Sequence, residues 1–346
     1  MSMRPTYRQG CKSLWKAWLL SGILLLSLSG LAQDLHSSQS WAISPVFNPA
    51  ATGHFNGLWR AGLVYRDQYR TVTTPYQTLG MFGEWSTYTN SRSKKNRFGL
   101  GLIATADRAG DGRLTTTEFG LQTAYHQTLA RDGRVTASVG FGAHYGSRRL
   151  DVARLIFNSQ WGDDLFDPNI PSGENFASDR AGYLDLNAGF RIFARTSVHN
   201  YLLFEGALHH INQPSISFLG EDVPLGLRPV AAVSGRFGLR GTTSILPRVS
   251  FSTERQAREI IAGANFTIGL DHRPDADQFI LGAWYRYADA FIITAGMDYR
   301  NARFVLSYDV NASKLTPASK GNGAFELSLV LIGRKPSKVL DCPRDF

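Results

Sequence analysis

The sequence predicts an all-β protein: a transmembrane, antiparallel, up-and-down β-barrel of about 14 strands, with an N-terminal segment that is periplasmic or plugs the barrel. Apolar and small or polar residues alternate one by one over repeated stretches of about ten residues. A short hydrophobic leader begins the chain, and no later stretch reaches the roughly 18 apolar residues that a membrane helix needs. Only helices and closed barrels can cross a bilayer, so the alternating strands predict a barrel whose apolar face meets lipid.

Residues 1–32 have the pattern of a secretory signal peptide. Four basic residues precede an apolar stretch over 17–31, and Ala32 provides a small residue before the expected cleavage site. Cys11 lies before the apolar stretch, which excludes it as a lipoprotein acylation site, and the exported chain would keep only Cys342, so no internal disulfide can form. The formal charge of +9 includes four units in the leader and shows no Lys/Arg run, so nucleic-acid binding is not expected.

The remaining chain divides into three parts. Residues 33–56 are polar, do not alternate and form an N-terminal segment that is a candidate plug; residues 57–334 form the barrel, and residues 335–346 form a periplasmic C-terminal tail. The predicted strand cores are 58–68, 77–89, 96–106, 113–128, 133–147, 180–194, 200–210, 227–239, 245–254, 258–269, 277–287, 289–299, 302–313 and 323–333.

The lengths of the connections support a barrel. Connections after even-numbered strands are short, whereas the long ones, about 148–179 and 211–226, follow odd-numbered strands. Outer-membrane barrels have short periplasmic turns and long external loops, and an even strand number brings both ends of the chain to the periplasm. A soluble β-sandwich also alternates, but its strands are usually about five or six residues long, shorter than those predicted here.

Charged residues on the predicted strands indicate which face lines the lumen. A charge on the lipid-facing side would cost roughly 2–4 kcal/mol near the middle of the bilayer. We therefore expect five charged side chains to face the lumen: Asp185, Arg191, Arg286, Asp309 and Glu326.

No pattern typical of an enzyme or a cofactor site is present in the sequence. His126, His144, His209 and His210 lie on predicted strands, where hydrogen-bonded lumenal residues are expected rather than catalysts. Residues 107–112 resemble a calcium loop but are too few and lack the distal Glu. The acidic residues of the 148–179 loop, Asp163, Asp164, Asp167 and Glu174, are more typical of a solvated loop than of a divalent-ion site at the cell surface, which is the alternative. We expect no catalytic residue, no metal and no cofactor.

Apolar residues in the two long connections are candidates for binding a partner. They are Trp161, Phe166, Phe176, Ile216 and Phe218. Exposed aromatic side chains often anchor protein partners, although the same loops could instead fold over the barrel mouth and bury these residues themselves.

An ordered set of short motifs runs through the chain after the leader. It comprises Asn48-Pro49-Ala50, Tyr65-Arg66-Asp67-Gln68-Tyr69, Tyr145-Gly146-Ser147-Arg148, the His209–Pro214 stretch, Trp284-Tyr285-Arg286, Ser307-Tyr308-Asp309 and Cys342-Pro343-Arg344. This set resembles the PorP/SprF family of outer-membrane proteins of the type IX secretion system, found in Bacteroidota. No single motif is specific, but the set covers essentially the whole exported chain.

The resemblance implies a non-enzymatic outer-membrane component that supports secretion, or attachment to the cell surface, of proteins with a type IX C-terminal domain. In gliding bacteria such cargo includes large adhesins. It also implies periplasmic or lipoprotein components of the secretion machinery as further partners. From the residues alone, a passive pore or a transporter for small solutes remains an alternative, because a lumen with charges of both signs suits either.

Overall fold

The computed structural model describes residues 37–72, 74–88, 96–130, 132–161, 165–167, 169–197, 199–270, 277–314 and 316–333. These residues form a closed antiparallel barrel in which each strand pairs with its sequence neighbours, and β1 pairs with β14. The predicted barrel of 14 strands is confirmed, with strand ends within a few residues of those expected. The strands are β1 (Trp59–Gln68), β2 (Tyr76–Tyr88), β3 (Arg97–Ala109), β4 (Leu114–Thr128), β5 (Val135–Arg149), β6 (Arg180–Arg195), β7 (Tyr201–His209), β8 (Arg228–Gly238), β9 (Thr243–Glu254), β10 (Ala257–Gly269), β11 (Gln278–Arg286), β12 (Ala290–Tyr299), β13 (Ala302–Asn311) and β14 (Asn322–Gly333).

The outer face of the barrel is apolar, as the alternation predicts. On β5, Val139, Phe141 and Tyr145 are 52–63% exposed, whereas Ser138 and His144, at alternate positions of the same strand, are buried. Exposed Trp and Tyr side chains form a girdle near each end of the wall: Trp59, Trp85, Tyr125 and Tyr299 near one end, and Tyr76, Tyr145, Tyr285 and Tyr308 near the other. An apolar outer belt between two aromatic girdles matches the cross-section of a bilayer.

The two ends of the barrel differ in their connections. The end at which β1 begins and β14 finishes, the short-turn end, carries turns such as residues 239–242 and 300–301. The opposite end, the long-loop end, carries the connections 150–179, 210–227 and 312–321. The sequence-based prediction that the long connections share one end is confirmed. The two openings of the barrel are therefore surrounded by loops of different length.

Within the described residues, helical structure is limited to single turns. The N-terminal segment contains helix α1 (Ser44–Phe47) and a 3-10 helix, η1 (Pro49–Ala51). Two further 3-10 turns, η2 (Val152–Arg154) and η3 (Asn158–Gln160), lie in the long loop after β5, and helix α2 (Thr316–Ser319) precedes β14. Within the residues described, we find no helix with the length and apolar character needed to cross a membrane. The predicted signal peptide and C-terminal tail lie outside the described residues.

Candidate functional site

The lumen of the barrel is occupied by the described part of the N-terminal segment, residues 37–56. Most of its side chains are buried, and its contacts are with the inward-facing residues of the wall. Three stretches of the segment make three kinds of contact: polar at residues 37–39, apolar at 43–47, and backbone against wall glycines at 48–53. We treat this docked segment and the space beside it as the candidate functional site.

The polar stretch is bound by Glu326 of β14, whose side chain has no exposed surface. The backbone N–H of Ser38 donates to Glu326 Oε2 at 2.8 Å, and that of Gln39 donates to Oε1 at 3.0 Å. The Ser37 hydroxyl donates to the same carboxylate. Gln39 Nε2 also donates to Ser307 Oγ of β13 at 3.0 Å. One buried carboxylate thus holds three consecutive residues of the segment.

Two arginines neutralise the carboxylates that surround Ser38. Arg66 of β1 lies 2.9 Å from Glu326 Oε2 and 2.9 Å from Asp309 Oδ2, and Arg286 of β11 lies 3.0 Å from the same Asp309 oxygen. The guanidinium groups of Arg66 and Arg286 donate to the Ser38 hydroxyl at 2.8 and 2.7 Å, and that hydroxyl donates to Asp309. A buried ionic cluster is tolerated only when its members are paired and hydrogen-bonded, and Ser38 completes this one.

The apolar stretch of the segment packs on an apolar patch inside the barrel. Ile43, Val46 and Phe47 form one cluster with inward-facing residues of β14, β1, β2 and β3. Those wall residues are Val330, Val64, Phe82 and Ile103, all buried. Each side chain removed from water on both partners contributes roughly 1.5–3 kcal/mol. The wall is therefore built to match this segment rather than to line a water-filled channel.

The Asn48-Pro49-Ala50 motif lies against wall glycines. Asn48 caps η1, since its Oδ1 accepts from Ala50 N at 2.9 Å, and its Nδ2 donates to the Phe190 carbonyl of β6 at 3.2 Å. A Cβ atom on Gly140 of β5 would lie 2.4 Å from Ala50 N, and one on Gly99 of β3 would lie 2.2 Å from the carbonyl oxygen of Thr52. The backbone of the segment can approach the wall this closely only because no side chain stands there.

Two of the four predicted lumenal histidines, His126 and His209, hydrogen-bond the segment. Nε2 of His126 lies 2.8 Å from the carbonyl oxygen of Thr52, and Nε2 of His209 lies 3.0 Å from that of Phe47. Because a carbonyl oxygen only accepts, Nε2 carries the proton in both rings. Burial, followed by the positive charge of Arg191, lowers the pKa of His54 in the segment well below its usual value, so this imidazole is neutral near pH 7.

All five charged residues assigned to the lumen are buried. Asp309, Glu326 and Arg286 belong to the cluster around Ser38. Arg191 lies 2.9 Å from Glu205 Oε1, and Asp185 lies 3.0 Å from Nδ1 of His210. Sequence reasoning did not identify Arg66, the residue that joins the two carboxylates around Ser38. Its position on β1, two residues after the inward-facing Val64, was the available signal.

The candidate partner-binding residues of the long loops have unequal exposure. Trp161 is 55% exposed and contacts Phe166 with ring centroids 6.2 Å apart, whereas Ile216 is buried with Tyr183 and Leu225. Phe176 and Phe218 are half-buried, and the Phe218 carbonyl accepts from Ala177 N at 2.9 Å, which joins the two loops. The two most exposed apolar side chains in the described parts of these loops, Leu165 and Ile156, were not selected from the sequence, and neither was Leu219, which is 52% exposed.

The described residues hold no group of three or more His, Cys, Asp or Glu side chains arranged to bind a metal ion. Residues 107–112, which resemble a calcium loop, span the end of β3 and the tight turn to β4, where Gly110 adopts a positive φ of 69°. Of the acidic loop residues, Asp163 and Asp164 lie outside the described residues. Asp167 accepts hydrogen bonds from Asn169 within its own turn.

A cavity remains between the N-terminal segment and the wall formed by β6 to β11. Its volume is about 250 Å³, and its lining includes Trp41 and His54 of the segment together with Arg191, Glu205 and Trp284 of the wall. Trp41 stacks on Trp284 with ring centroids 6.5 Å apart. A second cavity of about 250 Å³ shares Trp41 with the first and extends among residues of the short-turn end, including Asn301.

Comparison with known proteins places these features in a family. The family model for the type IX secretion system membrane protein PorP/SprF matches residues 29–331. No match was found among curated protein sequences. Together with the apolar belt and the closed barrel, the family match establishes an outer-membrane location.

Several solved barrels are similar in fold. The deltaS2S3 mutant of the monoaromatic hydrocarbon channel TodX is 11% identical, with 85% of this chain and 94% of that chain covered and a TM-score of 0.50. The Pseudomonas aeruginosa FadL homologue is 11% identical, with coverages of 83% and 93% and a TM-score of 0.49. The Ralstonia pickettii toluene transporter TbuX is 11% identical, with coverages of 84% and 92% and a TM-score of 0.48. At this identity the likeness concerns the barrel fold alone.

Proposed function

The chain belongs to the PorP/SprF family of type IX secretion system membrane proteins, and we propose that it supports the secretion, or the retention at the cell surface, of cargo proteins that carry a type IX C-terminal domain. It is an outer-membrane component of that system and works with other parts of the machinery. In this proposal the barrel is a filled anchor rather than a channel, and its cargo includes surface adhesins in gliding species.

The observation that carries the proposal is the occupied lumen. A barrel of 14 strands is wide enough to enclose a cavity or a channel unless something fills it. Here residues 37–56 dock through the ionic cluster around Ser38, the apolar patch around Phe47 and the glycine contacts of Asn48 to Gly53. A permanently filled barrel suits an attachment function and leaves the loops as the surface on which a partner can bind.

The long-loop end offers that surface. Trp161, Leu165 and Leu219 are each more than half exposed, although they lie in loops that hydrogen-bond one another and bury Ile216. Apolar side chains held exposed on an ordered loop frame are typical of binding anchors. We propose that these three, with Ile156, are the first contacts of the cargo, ahead of the half-buried Phe176 and Phe218.

Deletion of the gene tests the proposal. One or a few proteins with a type IX C-terminal domain should disappear from the surface proteome, and the intact gene should restore them. A chain with Trp161→Ala, Leu165→Ala and Leu219→Ala should reach the outer membrane without restoring the cargo. The matched control is Leu239→Ala, which removes an equally exposed leucine at the short-turn end. An unchanged surface proteome in the deletion strain would refute the proposal.

A passive pore or small-solute transporter is the alternative, and electrical recording separates the two. The purified chain in a planar bilayer should show no large, steady conductance if residues 37–56 remain docked. Persistent open channels from the intact chain would favour the pore and would contradict the filled-anchor proposal.

A further inference from the structure

The cavity beside the N-terminal segment is rich in arginine. Together with the adjoining space at the short-turn end, it forms what we name the arginine cavity, because six arginines contribute to its lining: Arg60, Arg191, Arg236, Arg248, Arg300 and Arg303. The lining carboxylates are Glu205, Asp277 and Asp298, and Glu84 pairs with Arg60 from behind. The cavity and its immediate surroundings therefore contain six guanidinium groups and four carboxylates. The neutral imidazole of His54 does not change this excess of positive charge.

Three of the four carboxylates, Glu84, Glu205 and Asp298, are already paired with arginines, and Asp277 accepts a hydrogen bond from the backbone N–H of Arg300. Glu205 serves two cations at once, since Arg191 Nε lies 2.9 Å from its Oε1 and Arg248 Nη1 contacts its Oε2. Asp298 accepts from Arg303 Nε and Nη2 at 2.6 and 2.7 Å and from Gln278 Nε2 at 2.6 Å. If one of these carboxylates moved to pair with a different arginine, the arginine that it left would lose its partner.

These pairs leave two of the six arginines over in the described parts of the chain: the exposed Arg300, and Arg236 of β8. Arg236 lines both parts of the arginine cavity, and its Nε atom is buried without a hydrogen-bond partner in the described parts of the chain. A buried donor that lacks a partner costs roughly 1–3 kcal/mol, and more when it is charged. Because the Arg236 side chain also borders open volume, an anion that entered the cavity would meet a guanidinium that no carboxylate of the described residues already holds.

The shape and chemistry of the space define the class of ligand. A guanidinium fork matches carboxylate and phosphate oxygens in a bidentate manner. A volume of about 250 Å³ holds roughly eight waters, which suits an anion of a few non-hydrogen atoms. Asn301 and Arg300, in the turn after β12, place the entrance at the short-turn end, opposite the cargo-binding loops of the proposed function.

From these observations we propose that the arginine cavity binds a small multivalent oxyanion, with phosphate or carboxylate groups, through Arg236. The anion enters from the short-turn end and bridges Arg236 to the paired arginines on the opposite wall. The oxyanion comes either from a free phosphate compound or from acidic side chains of a peptide. This site is independent of cargo attachment, so either proposal can fail without the other.

Calorimetric titration of the purified full chain in detergent micelles tests the site. The two probes are inorganic pyrophosphate, for a free anion, and hexaglutamate, for an acidic peptide. At least one probe should bind saturably, with an affinity that falls as salt increases, and Arg236→Gln should weaken binding tenfold or more. Arg236→Lys keeps the positive charge but lacks the paired N–H donors of the guanidinium, and we expect a loss of affinity intermediate between those of the unmodified chain and Arg236→Gln.

The matched control is Arg134→Gln, which removes an exposed arginine at the same end of the barrel but outside the arginine cavity. It should bind both probes as the unmodified chain does. Folding of each variant is checked by its heat-modifiable mobility on gels, and Arg236→Lys replaces Arg236→Gln if the latter does not fold.

Binding of only one probe identifies the source of the oxyanion. Absence of saturable binding by both probes, or equal affinity in the Arg236 variants and the control, would overturn the proposal.

Discussion

At the scale of single residues, the contact between wall glycines and the Asn48-Pro49-Ala50 motif leaves no room for an added side chain. A Cβ atom at Gly140 would lie 2.4 Å from both Ala50 N and the Pro49 carbonyl carbon, which are backbone atoms that cannot rotate away. We predict that Gly140→Ala loosens residues 48–54 at a cost of roughly 1–3 kcal/mol. Hydrogen exchange at these amides, followed by mass spectrometry, should accelerate about tenfold or more.

Gly83→Ala is the matched control for that experiment. Gly83 also lies within a strand, but a Cβ atom there would meet nothing within 4 Å. Its exchange profile should equal that of the unmodified chain. Unchanged protection of residues 48–54 in Gly140→Ala would show that the segment does not rest on the wall at this point.

Glu326 is the residue on which the polar stretch of the segment depends. Glu326→Ala removes the acceptor for Ser38 N and Gln39 N and leaves Arg66 with only Asp309 as a close carboxylate. Breaking one side of a buried ion pair typically costs about 3–5 kcal/mol. We expect a clear fall in the urea midpoint of unfolding, with a smaller fall for Glu326→Gln, whose amide oxygen still accepts. Glu174→Ala, in an exposed loop, should leave the midpoint unchanged, and an equal midpoint for Glu326→Ala would contradict the role assigned to this carboxylate.

The sequence predicted the facing of single charged side chains, because one energetic rule decides it. It did not predict which residues those side chains contact. The cost of a charge in lipid was enough to assign Asp185, Arg286 and Glu326 to the inner face. That Arg286 meets Arg66 around Ser38 depends on strand register and on where the segment docks, and neither is encoded in the local pattern. For the same reason, the sequence did not predict the position of Arg236 in the arginine cavity.

At the scale of elements, the N-terminal segment is the part of the fold that the sequence described least. Its lack of alternation indicated only that it is not a strand. A stronger signal lay in the wall: Val64, Phe82 and Ile103 are apolar residues at inward positions, where a water-filled barrel would have polar ones. Such inward apolar residues need a partner inside the lumen, and this reasoning would have located the docking surface without a structure.

Removal of this segment should change the electrical behaviour of the barrel. We predict that a chain lacking residues 37–56 still closes its 14 strands, because the strand pairs do not involve the segment, but leaves the lumen open to water. Single-channel recordings should show a large, steady conductance that is absent from the intact chain. Gly140→Ala, with a loosened segment, should show brief openings. A silent but correctly folded deletion chain would mean that something other than residues 37–56 closes the lumen.

At the scale of the whole molecule, strand ends and connection lengths were predictable because both follow from local chemistry. Turn residues end each alternating stretch, and the antiparallel order then fixes which connections share an end. The exposure of side chains in the long loops was not predictable in this way. Ile216 and Trp161 are both apolar residues in otherwise polar loops, but Ile216 is buried and Trp161 is exposed. Ile216 is buried because it packs against Tyr183 of β6 and Leu225 of its own loop, and the local pattern around Ile216 does not reveal these contacts.

The depth of a residue within the membrane is also a property of the whole barrel, and it leads to a sharp test. Leu121, near the middle of β4, and Leu129, just beyond its end, both face outward and are 53% and 63% exposed. Eight residues of strand span about 26 Å, or roughly 20 Å along the membrane normal at the usual tilt of transmembrane strands. Leu121→Arg should therefore make folding into lipid vesicles less favourable by roughly 2–4 kcal/mol, whereas Leu129→Arg, near the interface, should make it less favourable by about 0–1 kcal/mol. Urea titrations of folding into vesicles measure both values, and equal costs at the two positions would contradict the membrane boundaries that the aromatic girdles define.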